Sequence, residues 1–410
     1  MKSEKNIKIV IGSNYGDEGK GLATDYFASQ CPDNGIVVMT NGGSQRAHTV
    51  ELKDGTRHVF QHFGSGTLRG WDTYYSEHFI LNPMQFCKEY DKIKNLYDKS
   101  FKIYCSPNCM WSTPYDMIYN QIERALNGRH DTCGMGIWTT IQRYEYCKNN
   151  NIRIYGINEF ANLSITEKIN YLLWIRNYYR DKVINNRIFA NENKHITGLY
   201  ITMFEKGLME HFLSDVLQMN VIIGGLGFCN PLSTYENIIM ENGQGLLLDT
   251  DVDISFGTPS HTGLDTPLEI INKDLVTAKN VNIEVCYVTR TYLTRHGFGI
   301  IKDKCSHDNI NLFMKDETNV FNEFQGSLSY GKLCNNSLFK RINSDYIKTV
   351  LNNPLSQISF SKSLFITHLN EHVFDLTDID MHSFEQLYLS ESKYADDVVV
   401  KKYETTKEYN

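Results

Sequence analysis

The chain has 410 residues, 41% of them hydrophobic, enough to bury a sizeable core as one large α/β domain or a core domain with insertions. Its formal net charge of −7 and pI near 6.0 argue against the basic field that broad nucleic-acid or acidic-membrane binding requires. No window of about 18 uninterrupted apolar residues predicts a membrane-spanning helix, and the charged N-terminus lacks the long apolar stretch and cleavage site of a signal peptide, so a cytoplasmic protein is expected.

In chain order, short apolar runs predict strands at Ile7–Ile11, Gly35–Met39, Lys102–Cys105, Val221–Ile223, Ile238–Met240 with Leu246–Leu248, Glu284–Val288 and Leu364–Ile366. Helix-like stretches lie between them at Pro83–Tyr97, Pro114–Leu126, Ile165–Lys182 and Leu199–Met219. Short buried strands alternating with helices predict an α/β fold, a mostly parallel central sheet with helices on both faces. Residues 1–380 are expected to form one catalytic domain with a helical insertion at about 152–219, and residues 381–410 a polar C-terminal extension. The ten cysteines are scattered singly and read as thiols in a reducing compartment.

Two loops carry the chemistry. Gly12-Ser-Asn-Tyr-Gly-Asp-Glu-Gly-Lys-Gly21 follows the first strand and precedes a helix-like stretch. Glycines let the backbone approach phosphates, successive N–H groups cradle them, and the helix N-terminus adds a favourable dipole. Lys20 supplies a point charge for β- and γ-phosphates, and Asp17 is placed to bind Mg²⁺ or act as a base. Gly rather than Ser or Thr follows Lys20, so this is not a Walker A loop. The second loop, Asn41-Gly-Gly-Ser-Gln-Arg-Ala-His-Thr49, also follows a strand and presents flexible backbone, a cation and His48 together.

Both loops resemble those of the adenylosuccinate synthetase family, which carries Gly-Asp-Glu-Gly-Lys-Gly and then Gly-Gly-x-Asn-Ala-Gly-His-Thr. Asp131–Ile137, Glu241–Asp249, Thr258–Thr262 and Val288–Arg295 resemble further family segments in the same order, so the likeness spans roughly residues 7–375. It implies a fold related to the P-loop NTPases and a Mg²⁺-dependent carbon–nitrogen ligase. In that chemistry a nucleoside triphosphate phosphorylates the 6-oxo group of a purine nucleoside monophosphate, and the amine of L-aspartate displaces the phosphate. Carried over residue by residue, the resemblance gives Asp17 the N1 proton and a metal contact, His48 the charge on the 6-oxygen, and Gln244 a contact with the purine. Asn14, Gly16, Glu18, Gly19, Lys20, Gly21 and Thr49 would hold the triphosphate, with Ala47 beside Asp17 at the metal. Gln45, Thr132, Cys133, Thr258 and Val288 would surround the monophosphate, completed by Arg143 from the other subunit of a homodimer.

The departures bear on substrate choice. Gln45-Arg46-Ala47 stands in place of Asn-Ala-Gly, and Thr367-His368-Leu369-Asn370 in place of the guanine-reading Thr-Lys-Leu-Asp, which exchanges an ionised acceptor for an amide. The arginine-rich aspartate loop of the family is replaced near Phe324–Lys332, leaving Gly326, Ser327 and Arg295 as expected carboxylate contacts, with Arg290 and Lys332 as further candidates. The His-Leu-Asn, Gln-Gly-Ser-Leu and Ser-His-Thr-Gly segments look closer to a phage-encoded branch, acting in a host cytoplasm, which condenses aspartate with dGMP towards 2-aminoadenine DNA and accepts adenine triphosphates. Better-known members of that branch have Ser where this chain keeps Asp17, so IMP and GTP are the alternative pair. A nucleotide-binding regulator without ligase activity is a second alternative.

Overall fold

The computed structural model describes residues 4–402 apart from 99, 128–132, 186–192, 253–257, 276–279, 298, 302–303, 307–309, 311–325, 351–357 and 375–382. Among the described residues nine strands form the central sheet: β1 (Lys5–Gly12), β2 (Ile36–Met39), β3 (Asp72–Tyr75), β4 (Ile103–Cys105), β5 (Asn237–Gly245), β6 (Val281–Arg290), β7 (Ile358–Thr367), β8 (Gln386–Leu389) and β9 (Val399–Lys402). Their order across the sheet is β9-β8-β7-β6-β1-β5-β2-β3-β4, with eight strands parallel and β9 antiparallel to β8.

Side chains alternate between the two faces of a strand, and both faces are covered. Val10, Val37 and Met39 enter one core, whereas Ile9, Ile11, Ile36 and Val38 enter the other. The first core is closed by α1 (Lys20–Ser29), α2 (Pro83–Leu96), α3 (Pro114–Asn127), α4 (Ile137–Asn149), α5 (Ile157–Asn162), α6 (Ile165–Asn185), α7 (Lys194–Thr202) and α8 (Lys206–Ile223). The second is closed by α9 (Asp265–Asp274) and α10 (Asn335–Val350), through Leu268, Leu338 and Ile342. The expected α/β architecture is therefore present, and the loops leaving β1, β2, β5, β6 and β7 emerge at one edge, where such sheets place their sites.

Several local expectations need correction. Val221–Ile223 is the last turn of α8, not a strand, because Phe212, Leu213, Val216, Met219 and Ile223 keep a helical spacing of buried positions; Gly224, at φ 71°, then ends the helix. Leu246–Leu248 is a 3₁₀ turn, and the stretch 199–219 is divided between α7 and α8. The polar C-terminal segment is not outside the domain: β8 pairs with β7, and β9 closes the sheet edge. Its polar composition suits an edge, where lysines such as Lys401 and Lys402 oppose further strand addition.

Leu387 in β8 is fully buried, whereas Val399 in β9 is 57% exposed. Leu387→Ala is expected to cost about 2–5 kcal/mol in denaturant unfolding, and Val399→Ala to fall within about 0.5 kcal/mol of the parent. Equal, small effects would show that this segment is not part of the core.

Candidate active site

The turn between β1 and α1 folds around one carboxylate. Glu18 Oε1 accepts hydrogen bonds from the backbone N–H of Asn14 (2.9 Å) and Gly16 (2.8 Å), while Oε2 lies 3.2 Å from Lys20 Nζ. Lys20 Nζ also donates to Gly16 O at 2.5 Å. A Cβ at position 12 would sit 2.4 Å from Glu18 Oε2, so glycine there is what admits the carboxylate. Gly16 and Gly19 take φ values of 113° and 95°, a region that side chains oppose. Thr367 Oγ1, at the end of β7, donates to Glu18 O at 2.8 Å, and Arg290 Nε donates to Asp17 O, so strands β6 and β7 hold the turn from outside.

The loop after β2 is joined to β5. Asn41 Nδ2 donates to His261 O (2.8 Å), and its Oδ1 accepts from Gly243 N (2.6 Å). Below it lies a buried group of three charges or potential charges. Glu241 Oε1 lies 2.8 Å from His48 Nδ1, and Oε2 lies 3.3 Å from Arg46 NH2. Ser65 Oγ donates to Oε1 as well, at 2.5 Å. Burial pushes the Glu241 carboxyl up, but His48 and Arg46 opposite it prevail and hold it at about 2. Burial, with Arg46 adding to it against Glu241, takes His48 down to about 4. An ionised Glu241 needs a donor, so neutral His48 carries its proton on Nδ1 and keeps a lone pair on Nε2.

These pieces meet at a cavity of about 430 Å³. Its walls include Gly16, Asp17, Gly19, Lys20 and Gly21 from the first loop, Ala47, His48 and Thr49 from the second, and Thr367, His368 and Asn370 from the end of β7. Glu51, Arg57, Arg290, Tyr292, Glu371, Ser392 and Lys393 complete it. Tyr292 OH donates to Glu371 Oε2 at 2.5 Å, and Lys393 Nζ pairs with Glu51 Oε1 at 2.5 Å. His368, with φ 61°, is packed so that burial keeps its imidazole well below its ordinary range.

A family model described as adenylosuccinate synthetase matches residues 9–322, more than three quarters of the chain. The chain belongs to the adenylosuccinate synthetase family. That family consists of carbon–nitrogen ligases. The synthetase of Picrophilus torridus is 26% identical over 309 residues, covering 75% of this chain and 67% of that one. That of Clostridium perfringens is 25% identical over 299 residues, covering 71% and 64%. With Corynebacterium efficiens the aligned part spans only 53% of the relative, so several curated relatives are matched over little more than half their length. Two solved structures share the fold, each at a TM-score of 0.60 over 97% of this chain. One is the fully ligated adenylosuccinate synthetase of Plasmodium falciparum, with 17% identity and 88% of that chain covered. The other is the cyanophage S-2L succinoaminodeoxyadenylate synthetase bound to dGMP and dATP, with 12% identity and 95% covered.

Within this synthetase-family fold, the expected residues divide into three groups. Asp17, Lys20, His48, Thr49, Ala47, Thr367, His368 and Asn370 share the cavity with the backbone of Gly16, Gly19 and Gly21. Asn14 and Glu18 are turned inwards and do not line it: Asn14 Nδ2 donates to Thr289 Oγ1 at 3.0 Å, and Glu18 is spent on the loop amides. They shape the loop rather than contact a ligand across this cavity. Gln244, Gln45, Cys133, Thr258 and Val288 also lie off the cavity wall; Gln244, at φ 64°, packs against Gly16, and burial raises the Cys133 thiol to about 11. Thr132 lies outside the described residues.

Arg143 is a correction. Its guanidinium is fully buried in its own subunit, with Nε 2.8 Å from Asp116 Oδ1 and NH2 donating to Trp111 O at 3.0 Å. A side chain locked to a buried carboxylate cannot reach a neighbouring subunit. Arg295 is also buried, 5.0 Å over the Tyr15 ring, and pairs in register with Ser329; Ser327, two residues earlier in the chain, is exposed. Glu241, Ser392, Lys393 and Arg341 escaped the sequence reading as site residues, since only the fold brings them to the two loops.

The donor set suits Mg²⁺. Asp17 offers one partly exposed carboxylate, and among the described residues it joins no protein-only cluster of three metal-ligating side chains. One carboxylate, a backbone carbonyl such as that of Ala47 and phosphate oxygens are the ligands this ion prefers.

Glu241→Ala would leave Arg46 buried without its counter-ion, and is expected to cost about 3–5 kcal/mol in stability. Asp17→Asn, at the cavity wall, should change stability little. A second expectation concerns pH. Unfolded His48 takes up a proton near 6.5, whereas the folded residue refuses it until about 4, so its contribution is lost as pH falls through that window. His48→Gln should therefore flatten the fall in Tm between pH 6.5 and 4, and an unchanged slope would contradict the neutral His48.

Proposed function

We propose that this chain joins the amino group of L-aspartate to C6 of a purine nucleoside monophosphate through a 6-phosphoryl intermediate, at the expense of a nucleoside triphosphate. The observation that supports this reading best is the shared cavity, which sets an acid–base carboxylate, a phosphate-facing lysine and a buried histidine around one space. Mg²⁺, when bound at Asp17 with the Ala47 carbonyl, supplies charge neutralisation for the triphosphate oxygens. Lys20 and the loop amides orient the γ-phosphate, and Asp17 accepts the N1 proton as the 6-oxygen becomes a nucleophile. His48 approaches that oxygen with Nε2 unprotonated; as negative charge grows there, the ionised Glu241 behind Nδ1 favours the imidazolium, whose second proton comes from solvent, and Nε2 then donates to the oxygen.

The nucleotide pair we favour is dGMP as acceptor with ATP or dATP as donor. Asn370, exposed on the cavity wall, offers an amide that pairs with donor or acceptor edges, and the neighbouring carboxylate of Glu371 is engaged by Tyr292. Loss of an ionised acceptor for guanine removes about 1.5–3 kcal/mol, enough to cancel a ten- to hundred-fold preference for GTP. The cyanophage protein's bound dGMP and dATP accord with that choice. IMP with GTP is the second reading, favoured by the retained Asp17. Homodimerisation in the cytoplasm remains part of the proposal, without a cross-subunit role for Arg143.

Purified protein with Mg²⁺ and L-aspartate, assayed with dGMP or IMP and with ATP, dATP or GTP, tests both levels. Product from dGMP with ATP or dATP is expected; strict dependence on IMP and GTP would overturn the pair, and no product from any combination would overturn the ligase. Asp17→Asn should lower turnover by orders of magnitude, and His48→Ala by about 10²-fold or more. Near-normal rates in either variant would remove the assigned role.

A further inference from the structure

We infer that Arg341 is an anion receptor of this site and that its anion is a carboxylate of the amino-acid substrate; the identity of that substrate rests on the ligase reading above. Arg341 lies on α10, on the helix face that also carries the buried Leu338 and Ile342. Its Nε donates to Ser13 O at 2.6 Å, and NH2 donates to Asn14 Oδ1. It therefore meets the first loop just before Tyr15-Gly16-Asp17, from the sheet face opposite α1.

Both of its acceptors are neutral. Among the described residues Arg341 makes no ion pair, whereas three other arginines do, Arg46 with Glu241, Arg69 with Asp25 and Arg143 with Asp116. Asp345, one turn further along α10, does not serve it, since Oδ1 accepts from Leu264 N (3.2 Å) and Oδ2 from Tyr287 OH (2.7 Å). Burial lowers the Arg341 guanidinium to about 10 and outweighs the opposing pull of the Glu18 carboxylate, which is already engaged by the loop amides and Lys20, so the cation is only partly compensated. A guanidinium has five N–H donors in a planar fork, and a carboxylate matches that fork in two bonds. A cation held by neutral oxygens is costly, and an arriving anion offsets the cost.

The choice of anion follows from position. Arg341 is not on the wall of the cavity that holds Lys20 and the donor-base segment, so the triphosphate is served from the other side. Arg341 instead addresses the side where Asn14 O accepts from Leu247 N and Asn14 Nδ2 donates to Thr289. Arg295 stacks over the Tyr15 ring there, so two guanidinium groups flank the loop beside Asp17. The arginine-rich aspartate loop is absent from residues 324–332, so a dicarboxylate must draw its cations from other elements, and Arg341 joins Arg295 beside this loop.

The test uses the whole chain with Arg341→Met and Arg341→Lys. Initial rates are measured against L-aspartate and against each nucleotide, and L-aspartate and succinate are titrated calorimetrically into the same proteins. Arg341→Met should raise the KM for aspartate about ten- to a hundred-fold, the loss of one charge-assisted pair, with kcat and both nucleotide KM values within about threefold. Arg341→Lys should recover part of it, as a point charge without the fork. A rise in the monophosphate KM alone would assign the cation to phosphate, and equal losses in every KM with a lowered Tm would make it only a clamp on the loop. Either outcome overturns the proposal. Absence of product from the parent protein would defeat the ligase reading separately; the receptor is then judged by the titration, where equal aspartate heats in parent and Arg341→Met would end it.

Discussion

The site depends on a carboxylate buried under its own loop. Glu18 collects the N–H groups of Asn14 and Gly16 and faces Lys20, so the turn after β1 is held in the shape an anion would impose, by an anion that belongs to the chain. This preorganises the amides and the helix N-terminus before any nucleotide arrives. The outer side of the same turn is held by Thr367 and Arg290, so the strand that leads to His368 and Asn370 and the strand that leads to Arg295 are both referred to it.

The second loop is arranged by a different balance. Arg46 and His48 both face Glu241 in a space without solvent, and one carboxylate cannot be shared equally between a permanent cation and a group that is free to lose its proton. Arg46 keeps its charge and His48 gives its own up, which leaves an imidazole with a defined tautomer. The substitution of Ala-Gly by Arg46-Ala47 therefore changes more than the volume of the loop: Arg46 adds to burial in lowering the proton affinity of His48. Arg143 is likewise held by burial, with Asp116 and Tyr179 closing around it.

Loss of an arginine cluster from one loop does not remove the need to neutralise a dicarboxylate. The fold offers Arg341 and Arg295 near the same turn, one from a helix on the opposite sheet face and one from a short strand. The fold is thus shared with distant relatives.

Much of the architecture was legible in the residues alone. A run such as Ile36–Met39, bounded by turn residues, suits a strand buried on both faces, and the Gly-rich turn after β1 announces close approach of chain to chain. These are local constraints, set by steric freedom and hydrophobic spacing. Val221–Ile223 was misread because three β-branched or aliphatic residues suit a strand and a helix end equally, and only packing on α2 and α5 decides between them. The sheet edge at β8 and β9 was hidden because edge strands tolerate polar residues. Glu241 with His48, 193 positions apart, and Arg341 with Ser13, 328 apart, carry no local signal at all. Their meaning arises from burial, which removes water as a partner and makes each charge answer to whichever group the fold places against it.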